Sequence, residues 1–182
     1  MSNTTLIKKE TSVCTSVSVR LLSATAVFAA MITLVTAYIF HIPVGINGGY
    51  IHLGDTMIYL AASMLPMPYA CAAAAIGAGV ADLMTAPVWV PATVIIKMLI
   101  CLPFCSKGKS FVTKRNILAL AAGFLISTTG YYIAEGILFG FTASFFTAIV
   151  GSIFQSGGSA VAFVIIGSAL DKINFKKRMF QM

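Results

Sequence analysis

Ionisable side chains are rare in this chain, and four of them interrupt or border its long apolar stretches. The chain has 182 residues, of which only 9% are charged. Asp55 and Asp82 lie at the two ends of one apolar stretch, and Lys97 and Glu135 each lie inside another apolar stretch. Ionisable groups in membrane-spanning segments are costly, usually face the interior of a bundle, and mark functional sites. These three acids and one base therefore predict a polar site inside an apolar protein.

Aromatic and hydrogen-bonding groups surround these charges in the sequence, as expected for a site that binds a small heteroaromatic molecule. Such a molecule stacks on aromatic rings and takes hydrogen bonds from acids and amides. The predicted substrate-binding residues are Asn47, Tyr50, His52, Asp82, Trp89, Lys97, Tyr131, Tyr132, Glu135, Gln155 and Ser159, with Ser156 also at the floor of the site. Adjacent helical residues point about 100° apart, so at most one of the two neighbouring tyrosines faces a ligand.

Each of these groups also has a purely structural interpretation. Lys97 can form an ion pair with Asp82 or with Asp55 that locks two helices together. Asp55 can instead cap the helix that it begins, where its carboxylate meets free backbone N–H groups. The tyrosines and the tryptophan can lie at the membrane interface, where such residues are enriched. The residue types alone leave these alternatives open.

The composition assigns the chain to the membrane. Hydrophobic residues make up 59% of the chain and the mean hydropathy is +0.96. Soluble domains are about 45–50% apolar and about 25% charged, so these values exclude a cytoplasmic globular enzyme. The long unbroken apolar runs favour membrane-spanning helices. The net charge of +7 does not indicate nucleic-acid binding, because the basic residues lie between apolar runs rather than on a soluble face.

The positions of the basic residues determine the predicted topology. Eleven of the twelve lie in the N-terminal tail, in a middle loop around residues 106–116 and in the C-terminal tail. Basic loops remain on the cytoplasmic side, so an even number of spans must separate each pair of these regions. Uncharged or nearly uncharged stretches cover residues 21–40, 56–81, 88–104, 117–139 and 142–170. A turn at residues 66–68 divides the second stretch into two spans.

The predicted fold class is therefore all-α: a polytopic membrane protein with six transmembrane helices and both termini cytoplasmic. Residues 1–182 form a single six-helix domain, with residues 1–19 and 171–182 as cytoplasmic tails. In this topology the four isolated charges lie in the outer half of the bilayer. The Gly-rich segment 41–55 is an outer loop above them.

Three segments carry a resemblance to a known family. They are GGYIHLGD at residues 48–55, GAGVADLMTAP at 77–87 and PATVIIK at 91–97. With the length and the six helices, they resemble the substrate-binding S component of energy-coupling factor (ECF) vitamin transporters. The chain is most similar to the members assigned to hydroxymethylpyrimidine or pyridoxine-type compounds.

This resemblance implies a function and partners. An S component of the bacterial cell membrane captures a vitamin or precursor from outside with high affinity. It then docks on an ECF transmembrane T component that carries two cytoplasmic ATPases, so it is not itself an enzyme and needs no cofactor or metal. Ala26 and Ala30 match the family's docking face, and residues 43–53 match its lid loop.

The charges of these residues restrict the chemical class of the substrate. Three acids and one lysine disfavour a strongly anionic ligand such as folate and favour a neutral or weakly basic ring. Hydroxymethylpyrimidine or pyridoxine is the first choice, with riboflavin or pantothenate as alternatives.

A stand-alone secondary transporter is an alternative class of protein, although no repeated halves are visible in the sequence. An intramembrane protease would need a histidine in a helix core, and the only two histidines, His41 and His52, belong to the loop.

Overall fold

The first half of the chain contains a long helix, a short hairpin and a compact group of helices. A computed structural model describes residues 3–39, 41–44 and 49–180. Its elements there are α1 (Asn3–Ala37), the strands β1 (Ile42–Val44) and β2 (Gly49–Ile51), then α2 (Asp55–Met64), α3 (Met67–Thr85) and α4 (Val90–Cys101). A 3₁₀ turn, Pro87–Trp89, precedes α4. The two strands pair antiparallel, with Pro43 opposite Tyr50.

The second half is almost entirely helical. It comprises α5 (Lys114–Phe139), α6 (Phe141–Ser152), α7 (Gly158–Lys172) and the short α8 (Phe175–Phe180). A π-helical segment, Ile153–Gly157, joins α6 to α7 without a break. We use "hairpin end" for the side that holds β1, β2 and the start of α2. We use "basic end" for the opposite side, which holds the α2–α3 turn, the α4–α5 loop and α8.

Four helices in the described residues are long and apolar enough to cross a membrane. They are Val19–Ala37, Met67–Thr85, Lys114–Phe139 and Ala148–Lys172. The helix Pro87–Cys101 is apolar but shorter, and α2 has only 10 residues. A bilayer core needs about 20 residues. The chain is thus a helical membrane protein, whereas the count of six spans and the cytoplasmic termini stay predictions.

The boundaries follow local chemistry. Helix α2 ends at Met64, and α3 begins at Met67 with Pro68 in its first turn, where a missing N–H costs nothing. The expected division of the second apolar stretch is therefore present. Helix α1, by contrast, begins at Asn3, within the polar segment that was expected to be a tail.

Helix α2 lies at the centre of the bundle. Every residue of α2 except Met57 is buried, and α2 contacts α1, α3, α4 and α7. Tyr59, in the middle of α2, is wholly buried between aromatic rings of neighbouring segments. Its ring centroid lies 5.3 Å from that of Phe104 and 6.1 Å from that of Phe163. A short helix can span part of the bilayer here because protein surrounds it.

Small residues allow α1 and α3 to pack closely. A Cβ atom at Gly77 would lie 2.6 Å from the backbone oxygen of Ala29 and 2.7 Å from Cβ of Ile32. The hydroxyl of Thr33 donates a hydrogen bond across the same contact to the backbone oxygen of Gly77, at 2.9 Å. Such small-residue contacts replace the hydrophobic driving force that is absent between helices in lipid.

The π-helical segment places two adjacent residues on the buried side of the last membrane helix. Before it, buried residues recur every four positions at Ser144, Ala148 and Ser152. After it, they recur at Ser159, Phe163 and Gly167. Segments of this kind insert one extra residue into a turn and often occur at functional sites. Two adjacent polar side chains, Gln155 and Ser156, are consequently both buried.

Candidate functional site

A buried ion pair joins α2 to α4 near the hairpin end. The Nζ atom of Lys97 lies 2.7 Å from Oδ1 of Asp55, and both side chains are fully buried. The amide Nε2 of Gln155 donates a hydrogen bond to the other carboxylate oxygen of Asp55, at 3.3 Å. We call Asp55, Lys97 and Gln155 the ion-pair cluster. Of the two pairings that the sequence left open for Lys97, the structure shows the one with Asp55.

The start of α2 favours the charged form of this acid. The residue that caps α2 is Gly54, and Asp55 is the first residue of the helix. A carboxylate in the first turn lies at the positive end of the helix dipole. A buried carboxylate is stable only when a cation and hydrogen bonds replace its water, and here Lys97 and Gln155 supply them.

Aromatic side chains form a wall beside Lys97. Its Nζ atom lies 5.2 Å from the ring centroid of Tyr131, within the range of a cation–π contact. The hydroxyls of Tyr131 and Thr93 share a hydrogen bond of 3.2 Å. Trp89 packs edge-on against Tyr131, with ring centroids 6.1 Å apart, and also contacts Phe139. The 3₁₀ turn before α4 thus brings the only tryptophan of the chain to α5.

The hairpin is attached to α3 through Asp82. The hydroxyl of Tyr50 donates a hydrogen bond to Oδ1 of Asp82. Burial and the neighbouring carboxylate raise the pKa of Tyr50, so its hydroxyl keeps its proton. The ring of Tyr50 also stacks on the ring of His41, with the two centroids 4.0 Å apart. The second strand therefore lies over the end of α3.

His52 fixes the turn that leads into α2. It is 4% exposed, and its Nδ1 accepts a hydrogen bond of 2.9 Å from the backbone N–H of Gly54. Burial lowers the pKa of His52 to about 3, so the ring is neutral at physiological pH. Gly54 is required here, because a Cβ atom would lie 2.0 Å from the hydroxyl oxygen of Thr36. This turn places Asp55 opposite Lys97.

The predicted floor of the site is formed where the π-helical segment meets α2. Gln155 and Ser156 belong to that segment and Ser159 follows it one turn later. The backbone oxygen of Ser159 accepts a hydrogen bond of 3.2 Å from the hydroxyl of Thr56. The side chains of Ser156 and Tyr59 are both buried. These polar groups lie inside the helix bundle, close to α2.

Three further predicted residues have different surroundings. Glu135 is buried and lies one turn after Tyr131 on α5. Tyr132 points toward α6, where it packs against Phe141 and Phe145 at 5.6 and 6.2 Å between ring centroids. Asn47 lies outside the described residues. Of the two adjacent tyrosines, only Tyr131 thus contacts Lys97 through its ring.

The proposed docking residues lie on the open face of α1. Ala26 and Ala30 are both exposed, whereas Thr25, Ala29 and Ile32 on the opposite face are buried. The exposed face therefore takes no part in packing within the described part of the chain. It is available to lipid or to another protein.

Sequence reasoning left two neighbours of the site out, Thr93 and Tyr59. Asp55 was weighed as a helix cap, as an ion-pair partner of Lys97 and as a ligand contact, and the structure shows the ion pair. Thr93 precedes Lys97 by four residues on α4, and Tyr59 follows Asp55 by four residues on α2. Residues four apart share a helix face. Searching that face on either side of each isolated charge would have found both.

The arrangement offers polar groups that can bind a small molecule. Lys97 is neutralised by Asp55, Asp82 accepts a hydrogen bond from a tyrosine, and Glu135 is buried nearby on α5. Aromatic rings and hydroxyls complete the surroundings. Sites that bind small molecules combine a few polar contacts with apolar walls in this way.

Comparisons with known proteins identify the family of the chain. The family model of the ECF-type riboflavin transporter, S component, matches residues 16–172. A protein of Pyrococcus woesei, described as "Uncharacterized protein in gap 3'region", is 30% identical over 150 residues, which cover 80% of this chain and 95% of that protein. The match to the family model confirms the resemblance to an S component, whereas the hydroxymethylpyrimidine or pyridoxine subtype stays a prediction. The chain belongs to the ECF-type riboflavin transporter S component family.

Proposed function

We propose that this chain is the capture subunit of an ECF importer for a neutral heteroaromatic vitamin, with riboflavin as the first candidate. The observation that carries the proposal is the ion-pair cluster. Since Asp55 neutralises Lys97, the described residues of the site offer no free cation to an anionic ligand. What remains are two acids, an amide and a wall of aromatic rings, which suit a flat neutral ring with donors and acceptors along one edge.

Riboflavin fits this description chemically. Its ring system is flat and uncharged, and one edge carries an N–H group between two carbonyl oxygens. The name of the matched family supports the same choice. Pantothenate is disfavoured because its carboxylate would need a base that Asp55 already neutralises.

Hydroxymethylpyrimidine and pyridoxine are the second candidates. Asp82 favours them, because its carboxylate accepts a hydrogen bond from the uncharged Tyr50 and forms no ion pair within the described residues. A weakly basic ring nitrogen could therefore be stabilised there as its protonated form. Both ligand classes keep the same role for the protein, namely capture of a vitamin or precursor.

Titration of the purified protein distinguishes these candidates. Riboflavin fluorescence should be quenched on stacking against Trp89 or Tyr131, with one molecule bound per chain and no ATPase present. If the protein binds hydroxymethylpyrimidine or pyridoxine tightly and does not respond to riboflavin, that compound replaces riboflavin as the proposed substrate and the capture role stays. If the protein binds none of riboflavin, pantothenate, hydroxymethylpyrimidine and pyridoxine tightly, the capture function is contradicted.

A matched pair of tyrosine variants tests the location of the site. Tyr131→Leu should weaken riboflavin binding about tenfold or more, as expected when a central aromatic contact is lost. Tyr132→Leu is the control, because its ring packs on α6, and should change affinity less than about threefold. Equal losses in both variants would place the ligand elsewhere.

The buried acid of α5 provides an independent test of the site. Glu135→Gln keeps the shape of the side chain and removes its charge. We expect weaker ligand binding with an unchanged unfolding transition. Unchanged affinity would remove Glu135 from the site.

Docking on the T component and its two ATPases is proposed for the exposed face of α1. Leucine at Ala26 or Ala30 should prevent close approach of another helix and abolish copurification with the partner subunits, while ligand binding survives. Ala121→Leu is the matched control, since Ala121 is exposed on α5. Normal assembly of both α1 variants would rule out this face.

The orientation in a bacterial cell membrane is proposed from the basic residues alone. The basic end should face the cytoplasm. A cysteine introduced at the exposed Lys109 should then resist an impermeant maleimide in intact cells and react after lysis. Labelling in intact cells would reverse the topology.

A further inference from the structure

A second polar site lies at the basic end, at the opposite end of α2 from the ion-pair cluster. A cavity of about 330 Å³ lies between the α2–α3 turn, the α4–α5 loop and α8. Pockets that bind small ligands begin at about 300 Å³. Its polar lining consists of Ser106, Lys107, Gly108, Lys109, Lys176 and Lys177. We call it the lysine cavity.

The positive charge of the lysine cavity is not balanced by its own lining, which includes no acid among the described residues. Asp171 is close enough to Lys176 to influence it electrostatically. However, both of its carboxylate oxygens accept hydrogen bonds from backbone N–H groups, those of Phe111 at 2.7 Å and Val112 at 3.0 Å. Like charges around one cavity repel each other, and a bound anion relieves that repulsion.

Specific contacts fix the walls of the cavity. The Nζ atom of Lys176 donates a hydrogen bond of 2.6 Å to the backbone oxygen of Ser63 and lies 5.9 Å from the ring centroid of Phe111. Burial lowers the pKa of Lys176. Across the cavity, Asn116 holds the α4–α5 loop: its Nδ2 donates to the backbone oxygen of Phe111 at 2.9 Å, and its Oδ1 accepts from the N–H of Cys105 at 2.9 Å. Both sides of the cavity are therefore attached to the bundle.

We propose that the lysine cavity binds an organic phosphate. Lys107, Lys109 and Lys177 are exposed, so their ammonium groups can reach a phosphate from two sides. Lysine binds phosphate as a compact point charge with three donors. The volume leaves room for a small polar group next to the phosphate. Two sources share this chemistry: a free phosphomonoester, or the headgroup of an anionic phospholipid at this face of the membrane.

The test uses the full chain in nanodiscs and two probes. In phosphatidylcholine nanodiscs, glycerol 3-phosphate is titrated by calorimetry. In mixed phosphatidylglycerol and phosphatidylcholine nanodiscs, the lipids retained by the protein are counted by native mass spectrometry. The site variant is Lys107→Gln with Lys109→Gln. The control carries the same charge change at exposed residues of the basic end outside the cavity, Lys114→Gln with Lys172→Gln.

The site variant should weaken binding of the active probe by about tenfold or more, as expected for the loss of charge-assisted hydrogen bonds, while the control changes it less than about threefold. Binding of glycerol 3-phosphate with this dependence identifies a free phosphate ligand. Retention of phosphatidylglycerol with this dependence identifies a lipid headgroup. Equal losses in both variants, which indicate attraction by net charge alone, would overturn the proposal, as would failure of both probes to bind. Neither result depends on riboflavin binding.

Discussion

At the hairpin end, Lys97 is fully buried and lies 2.7 Å from a buried carboxylate, whereas at the basic end four lysines line a cavity with no acid among its described lining. In the first region a base and an acid neutralise each other, and the pair joins two helices. In the second region the nearby acid, Asp171, binds the backbone instead. This difference underlies the two proposals, an uncharged ligand for the first region and an anion for the second.

The largest expected effect comes from breaking the buried pair. Lys97→Met should lower the free energy of unfolding by about 3–5 kcal/mol, because it leaves Asp55 buried without a cation. Lys109→Met, which removes an exposed lysine of the cavity, should change it by less than about 0.5 kcal/mol. Equilibrium unfolding in detergent measures both. The double variant Asp55→Leu with Lys97→Met should recover most of the loss, and equal stability of the two single variants would remove the contrast between the regions.

Removal of the acid at the basic end should have a smaller effect. Asp171→Ala should lower the free energy of unfolding by about 1–3 kcal/mol, since two backbone N–H groups lose a charged acceptor. Lys172→Ala is the neighbouring control and should be nearly neutral. Unfolding in the same detergent provides the comparison. A stable Asp171→Ala variant would mean that the α4–α5 loop does not need this acid.

The third prediction concerns pH and affects only the hairpin end. The pKa of His52 is lowered in the folded protein to about 3, below its usual value of about 6.5, so the unfolded chain binds more protons between these values. Stability should therefore be full above about pH 6.5 and fall as the pH decreases toward 3, with a loss on the order of 2 kcal/mol at pH 5. His52→Asn, which keeps an acceptor for Gly54, should remove this dependence. An unchanged pH profile in that variant would assign the loss to another group.

The smallest effect should be a slight gain. Lys107→Gln with Lys109→Gln should stabilise the protein by up to about 0.5 kcal/mol at low ionic strength, because repulsion around the cavity decreases. The gain should vanish in molar salt, where charges are screened. Thermal unfolding at two salt concentrations measures it. A gain that persists at high salt would not be electrostatic.

The helical segments were predictable from the sequence, because long apolar runs and the prolines that end them are local signals. The turn between α2 and α3 is one example. The helical start at Asn3 was not, because residues 1–19 are polar and carry no apolar run. The π-helical segment was not predictable either, since residues 142–170 contain no charged residue and no proline that would mark an irregular turn.

The charged residues of the site were identifiable, but their pairing was not. Ionisable side chains within apolar runs stand out by type alone. Whether Lys97 meets Asp55 or Asp82 depends on how helices distant in sequence rotate against each other, and residue spacing within one helix does not contain that information. The same rotation decides that Tyr131, and not Tyr132, lies beside Lys97. The predicted substrate contacts themselves stay predictions.

The site depends on the number of residues in the π-helical segment that joins α6 to α7. If one residue were deleted from Ile153–Gly157, the extra residue of the π-helical turn would be lost and an ordinary helix would result. Helix α7 would keep its direction, because the wider π turn absorbs the extra residue, but the turn would place one residue instead of two on its buried side. Gln155 and Ser156, which are both buried, could then not both remain inside the bundle. In this segment, insertions and deletions should therefore be tolerated less well than substitutions.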